Sequence, residues 1–370
     1  MINTSLCTGC SACSIICPKK AIKIKLNDDG FYSPVIDEQK CIKCNLCDMV
    51  CIYNDLTFEE NTTELAEKGL YMAYSNEKNN LSSSGGIAYE ISKYFNEKLN
   101  YYICGVVYNR YLKCAQHTVI MPKKTSELHL LCGSKYLQSL CKESYENIIN
   151  CEASVIFGLP CQIYGINRIL KLRKQRERHL LVDFFCYGIP SYHLWFYYLD
   201  YLKKKFKVGE NPEVIFRSNE LGWNKRQIRI GNYKNDENRD LFYNFFCKEA
   251  LCLNRTCYSC KFKNRTSADI RLGDFWGSKY KNSDIGHSMV SINTEKGESS
   301  INCIKDRVFI KEEQREDISV AQGYDCPKFP KKYNEILYDL KNKRPLFYIL
   351  SKNFNILFEI KKYLRKIIYK

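Results

Sequence analysis

Two alternating stretches, AIKIKL and GFYSPVID, flank Asn27-Asp28-Asp29-Gly30, so side chains trade faces residue by residue around a turn-forming tetrapeptide and predict an early β-hairpin. The polar segment EENTTELAEKG, residues 59–69, breaks that pattern and reads as a linker. A short apolar strand, YMAYS, opens the next region near Leu70. LSSSGG, a helical stretch over 87–99, the strand YYICGVVYN and the segment LCGSKYLQSL follow it. A third region starts with the strand SVIFGLPCQ and a basic helix over about 162–178. It continues through the apolar strand LLVDFFCYG, a Tyr- and Trp-rich helix, strands near Val214 and over 227–231, and the closing segments DIRLGDFWG and MVSINTEKG. Strands alternating with helices predict α/β architecture with mixed sheets in both regions. From Lys331 onward the chain is helical, basic and aliphatic. Its end places Ile349, Leu350, Phe354, Leu357, Phe358, Ile360, Tyr363, Leu364, Ile367 and Ile368 near one broad helical face. The pattern divides the chain at 1–58, 59–69, 70–150, 151–328 and 329–370.

Composition changes this picture at two points. The 370 residues include 45% hydrophobic and 26% charged side chains, ordinary for a folded protein, but also 21 cysteines. Met1 to Pro18 is polar and studded with Cys, which is no secretory signal, and no run of about 18 apolar residues predicts a membrane span. A reducing, cytoplasmic setting is therefore expected, where thiolates serve as metal ligands sooner than as cross-links. The second point is the net charge of +16: nine Lys or Arg and one acid fall in the last thirty residues, so half the excess is a property of the tail. No nucleic-acid-binding module appears, and no nucleic-acid partner is expected. The tail is expected either to pack on the body or to make peripheral contact with the inner face of an anionic membrane.

The spacing of Cys7, Cys10, Cys13 and Cys17 recurs 34 residues later as Cys41, Cys44, Cys47 and Cys51. C-x2-C-x2-C-x3-C is the spacing by which three thiolates wrap one corner of a cubane while the fourth crosses to the other cluster. The pattern predicts two 4Fe-4S clusters, one on Cys7, Cys10, Cys13 and Cys51, the other on Cys41, Cys44, Cys47 and Cys17. A structural zinc site pairs two CxxC knuckles instead. Pro18 follows the first fourth-cysteine, as in bacterial ferredoxins, whereas Ile52 follows the second. Of the remaining cysteines, Cys257 and Cys260 form a lone CxxC, while Cys161 in GLPCQ and Cys186 in DFFCYG stand at strand ends, which line the crevice of an open α/β sheet. These four suit a third cluster. Taken one by one, each reads sooner as a small buried apolar residue.

DIRLGDFWG, GLPCQ, CYGIPS, SSGG and GSKYLQS together resemble the coenzyme F420 hydrogenase/dehydrogenase beta-subunit family, iron–sulfur flavoproteins of which many carry an N-terminal two-cluster ferredoxin domain. The resemblance runs from Met1 to about Cys326. It implies an N-terminal-type family domain over 70–150 and a C-terminal-type domain over 151–328. It also implies that Cys161, Cys186, Cys257 and Cys260 hold a 4Fe-4S cluster beside an FAD. The flavin-binding elements it implies are Ser83, Ser84, Gly85 and Gly86, then Gly105, and Gly133, Ser134, Lys135, Tyr136, Gln138 and Ser139. Asp269, Gly273, Asp274 and Trp276 fall on the family's C-terminal signature. Paired glycines and neighbouring serines suit a pyrophosphate at a helix N-terminus, and Lys135 a phosphate or the reduced ring.

Two departures touch the chemistry. Tyr187 follows Cys186 where relatives resemble CHG, and His287 stands where they carry a small hydroxyl residue. With Lys135 and Asp274 these are the candidate catalytic residues. The resemblance implies an oxidoreductase relaying single electrons between a ferredoxin-like partner, the clusters and FAD, which exchanges a hydride with a small molecule. Members use F420, reduce chlorophyll-type intermediates or are associated with polysaccharide and glycan synthesis; the chain looks most like the last group, and the substrate itself stays open. The alternatives are an F420-linked reductase or dehydrogenase subunit, and a non-catalytic electron-transfer subunit of a larger complex.

Overall fold

The computed structural model describes residues 6–54, 56–77, 82–283 and 285–353. The N-terminal hairpin forms as its alternation predicts: Ile22–Leu26 pairs antiparallel with Tyr32–Ile36, and Gly30 sits at a positive φ of 79° in the turn. Two short helices, Ala12–Ile16 and Leu46–Met49, pack on each other beside it, each immediately after a cysteine loop. Gly9 and Ser11 in the first loop have φ of 66° and 65°; Lys43 and Asn45, their counterparts 34 residues on, have 54° and 59°. The repeat is thus a repeat of backbone shape. Left-handed backbone is uncommon for a lysine, so its recurrence at equivalent positions ties each loop to the same curl.

A nine-stranded mixed sheet forms the body. Its strand order is Val308–Glu313, Gly69–Ser75, Ser288–Ile292, Ile270–Asp274, His179–Phe184, Ser154–Gly158, Tyr102–Asn109, Cys114–Ile120 and Ser139–Leu140. The central pairs, Ile270–Asp274 with His179–Phe184, His179–Phe184 with Ser154–Gly158, and Ser154–Gly158 with Tyr102–Asn109, are parallel. Ser154–Gly158 is buried along its whole length, as its unbroken apolar run requires of a strand covered on both faces. Residues on both sides of position 150 feed this one sheet, so that position is no break between sheets.

Helices Ile87–Lys98 and Pro160–Leu172 cover the sheet. The second ends at Leu172, six residues before the expected stop, because Lys174 turns left-handed and a short 3-10 turn, Arg176–Arg178, leads into the next strand. The expected linker is also built into the body: Thr63–Glu64 pairs with Arg265–Thr266, Leu65 is buried, and the Ala66 amide donates to Ser291 Oγ at 2.8 Å.

A second, three-stranded sheet of Val214–Ser218, Gln227–Ile230 and Tyr233–Asp236 packs with the helix Tyr192–Phe206 around a separate aromatic core. The tail joins this core. Tyr333, Ile336, Leu337 and Leu340 of the helix Tyr333–Lys341, then Leu346 and Ile349, are buried in it. The helix expected from Lys331 onward is broken by the segment 342–345; of the expected apolar face, Ile349 and Leu350 lie on the helix Leu346–Asn353, and its members from Phe354 onward lie outside the described residues. Among the described residues no helix is long and apolar enough to cross a membrane.

Candidate functional site

One cavity of about 820 Å³ opens between the large sheet, the aromatic core and the N-terminal module. Its floor is made by strand ends, the usual crevice of an open α/β sheet. Helix Pro160–Leu172 begins here because Pro160 fixes φ at its first turn and Gln162 accepts the Leu159 amide at 3.0 Å; this presents Cys161 at the helix start. Cys186 follows the strand His179–Phe184 directly. Cys257 lies on the 3-10 turn Arg255–Ser259, and Cys260 just beyond it. All four line the cavity. Burial pushes each thiol up, Cys186 to about 11, and neighbouring cysteines raise them further: Cys186 acts on Cys161 and Cys257, Cys260 on Cys161, Cys186 and Cys257, and Cys326 on Cys260. Four thiols grouped at one cavity wall are a donor set suited to a cationic metal cluster, which would hold them as thiolates.

Cys10 also acts on Cys161, so the first N-terminal loop abuts this group. Within the module, Cys51 acts on Cys7, Cys10 and Cys13 in the same way, and burial pushes Cys7 up to about 12. The Gly9 amide donates to Cys7 Sγ at 3.2 Å and the Ala21 amide to Cys17 Sγ at 3.3 Å. Among the described residues no three His, Cys, Asp or Glu side chains close on one point as a single ion requires.

The two glycine-bearing motifs meet across the cavity. Ser83 Oγ accepts the Ser134 amide at 3.0 Å, and Gly86 precedes the helix Ile87–Lys98 at a φ of 83°. Ser83, Ser84, Gly86, Gly105, Gly133, Ser134, Lys135, Tyr136 and Ser139 line the wall. Gly85 and Gln138 do not. A β-carbon on Gly85 would meet the Ala73 carbonyl at 2.4 Å, which makes it a site of close strand packing. Gln138 is 1% exposed and faces the N-terminal module, donating to the Thr8 carbonyl at 2.9 Å and accepting the Tyr32 amide at 2.7 Å.

The four candidate catalytic residues separate. Lys135 Nζ donates to the Leu131 and Cys132 carbonyls at 2.9 and 2.6 Å, and burial lowers its pKa to about 8. Tyr187 is half exposed at the cavity's edge, against the Phe246 ring and below Lys263. Asp274 lines the cavity with both carboxylate oxygens engaged, by Arg217 at 2.6 Å and by the Trp223 indole at 3.1 Å. His287 is buried outside the cavity wall in a box of Tyr74, Trp223 and Tyr280 rings, and burial lowers its pKa.

Arg217 was not legible in the sequence. It is 4% exposed, lines the cavity, lies over Trp276 at 4.8 Å and keeps its Nε without a hydrogen-bond partner. Trp276 in turn stacks on Trp223 at 5.0 Å and 6°. Seven Lys or Arg line the cavity against two acids, Glu237 and Asp274, so its wall favours anionic ligands. Asp269, on the C-terminal signature, is buried outside the wall, where it holds Arg176 at 2.8 Å and the Leu181 amide.

Residues 151–318 match the family described as coenzyme F420 hydrogenase/dehydrogenase, beta subunit (C terminus), and residues 6–54 match the 4Fe-4S dicluster domain. Over 337 residues the chain is 22% identical to the F subunit of the F(420)H(2) dehydrogenase of Methanosarcina mazei, covering 87% of this chain and 88% of that protein. A chain of the F420-reducing NiFe hydrogenase complex from Methanosarcina barkeri superposes with a TM-score of 0.47 at 16% identity, over 74% of this chain and 88% of that one.

Proposed function

We propose that this chain, whose residues 151–318 belong to the coenzyme F420 hydrogenase/dehydrogenase beta-subunit family and residues 6–54 to the 4Fe-4S dicluster domains, is the flavin-bearing electron-transfer subunit of an oxidoreductase. The observation that carries the reading is the convergence of Cys161, Cys186, Cys257 and Cys260 on the cavity at the side facing Cys10. These four would hold a third cluster, and the wall from Ser83 to Gly86 and Gly133 to Tyr136 would hold FAD. About 820 Å³ lies within the range of pockets that enclose cofactor-sized ligands. A bound flavin supplies the exchange between single electrons and a hydride, which is the reason to place it beside clusters.

The chain's own residues do the rest. Gly86 and the amides opening the helix Ile87–Lys98 would receive a pyrophosphate, with Ser83 and Ser84 adding hydroxyl donors. Lys135, held by two carbonyls and eased toward neutrality, would place a donor at the bound ring. Asp274 fixes Arg217 and Trp223 and is a positioning residue in this reading, while Tyr187 stands at the mouth where a hydride partner would enter. Cys41, Cys44, Cys47 and Cys17 would hold the outer cluster, and since Cys44 is exposed a protein redox partner would meet the chain there.

The alternative within the same frame is an F420-linked role, in which the hydride partner is the deazaflavin itself. The relation to a component of an F(420)H(2) dehydrogenase along most of both chains supports it, as does the cationic cavity wall, since a phosphate-bearing deazaflavin is an anion. Anaerobic purification with iron, sulfide and flavin quantified tests the reading. About twelve irons and one FAD per chain is the expectation, from three cubanes and one flavin. About eight irons without flavin contradicts it.

A further inference from the structure

Three parts of the first cysteine loop are gripped by side chains from two distant segments of the body, one around residues 138–141 and one at Asn254. Asn254 Nδ2 donates to the Cys7 carbonyl at 3.0 Å, Gln138 Nε2 to the Thr8 carbonyl at 2.9 Å, and the Cys141 thiol to the Cys10 carbonyl at 3.3 Å. The middle contact differs in kind. The peptide group that joins Thr8 to Gly9 accepts Gln138 at its oxygen and donates its N–H to Cys7 Sγ at 3.2 Å. The amide of Gln138 can be oriented only one way, because its Oε1 receives the Tyr32 amide at 2.7 Å and its Nε2 must then face the Thr8 carbonyl. A β-carbon on Gly9 would stand 2.1 Å from Gln138 Nε2, so glycine at a φ of 66° is what lets the two approach.

Hydrogen bonds in series polarise one another, each strengthening the next by about 10–30%. A donor at the Thr8 oxygen therefore makes the Gly9 N–H a better donor to the Cys7 sulfur. Donors to cluster sulfurs favour the reduced, more negative state.

We propose that Gln138 is a positioning residue that raises the reduction potential of the cluster held by Cys7, Cys10, Cys13 and Cys51, acting through the Thr8–Gly9 peptide. The proposal rests on the dicluster reading of residues 6–54. Gln138 directly follows the cavity-lining stretch 133–137, so the wall of the flavin cavity and the tuning of the inner cluster share one short segment.

The test is a potentiometric titration, followed by electron paramagnetic resonance, of the full anaerobic chain and of its Gln138→Leu and Gln138→Glu variants. The outer cluster on Cys41, Cys44, Cys47 and Cys17 is the internal reference. Expected is parental iron content in both variants, an unchanged outer cluster, and an inner cluster whose reduction equilibrium moves about two-fold toward the oxidised form in Gln138→Leu. At 59 mV per tenfold for one electron that is about 18 mV downward. Gln138→Glu, which sets an acceptor against the Thr8 carbonyl, moves further in the same direction. Unchanged potentials at full iron content overturn the proposal, as does loss of the inner cluster from both variants, which would make Gln138 an anchor only. A parent chain without two clusters overturns the dicluster reading itself, and iron analysis distinguishes that case.

Discussion

Gly165 lies one helical turn beyond Cys161 and against Cys10: a β-carbon there would stand 3.2 Å from Cys10 Sγ and 2.9 Å from the Ala12 β-carbon. The helix that presents Cys161 to the cavity thus carries, on the same face, the seat of the N-terminal module. Contact between the two cysteine groups is set by the absence of one side chain.

Gly165→Ala should consequently separate the module from the helix by a few tenths of an ångström, and Gly165→Val by more. Overpacking of this kind costs about 1–3 kcal/mol, against which alanine regains about 1 kcal/mol of helix propensity. Gly165→Val is expected to unfold at lower temperature than Gly165→Ala. In both, electron transfer between the N-terminal module and the cavity slows at unchanged iron content, measured by rapid-mixing spectroscopy.

The pair Asp183–Arg271 anchors the cavity floor. Both side chains are buried; Arg271 Nε and Nη2 donate to the carboxylate at 2.7 Å, and Nη1 and Nη2 reach on to the Phe262 and Arg265 carbonyls. Asp183→Ala leaves the guanidinium charge uncompensated in the interior and is expected to cost about 3–5 kcal/mol in urea unfolding. Because Arg271 holds the segment just after Cys260, the same variant should lose iron from the cavity side first.

Lys135 gives the fold a basic-side pH dependence. Burial lowers its pKa to about 8, against an ordinary lysine value of about 10.4. Below pH 8 it is charged in the folded and unfolded chains alike, and the folded state bears the full cost of burying that charge. Between about 8 and 10 the folded state sheds the proton first, so stability rises with pH. Urea unfolding of the parent and Lys135→Met from pH 7 to 10 should show the variant's slope to be flatter over that interval.

The tail helix Tyr333–Lys341 is part of the aromatic core. Leu340 is 1% exposed there, and Leu340→Ala is expected to cost about 2–5 kcal/mol by thermal or urea unfolding. An exposed neighbour, Tyr338→Ala, should cost less than about 1 kcal/mol.

Short-range signals carried most of the fold. The hairpin around Gly30, the buried strand Ser154–Gly158 and the cysteine repeat each follow from spacing within a few residues, and each stands in the structure where the pattern placed it. The strands Cys114–Ile120 and Val308–Glu313 escaped because their apolar alternation is weak; partners across the sheet define them instead. At the site, residues that line the wall next to glycines or cysteines were legible from local motifs. Arg217 and Asn254 were not, since their significance comes from contacts with Asp274 and Cys7, 57 and 247 residues away. Gln138 sat in a legible motif but points to its other side, a distinction of facing that spacing alone does not encode.

The most direct test of the account asks whether electrons pass between the cavity and the N-terminal clusters by way of the cysteines that line it. The bound flavin is photoreduced anaerobically in the full chain and in Cys257→Ser, while flavin absorbance and the dicluster's paramagnetic signal are followed together. The account predicts flavin reduction in both, with rapid dicluster reduction in the parent and dicluster reduction slowed by orders of magnitude in the variant. Equal dicluster reduction rates in the two, or no flavin to reduce, would contradict it.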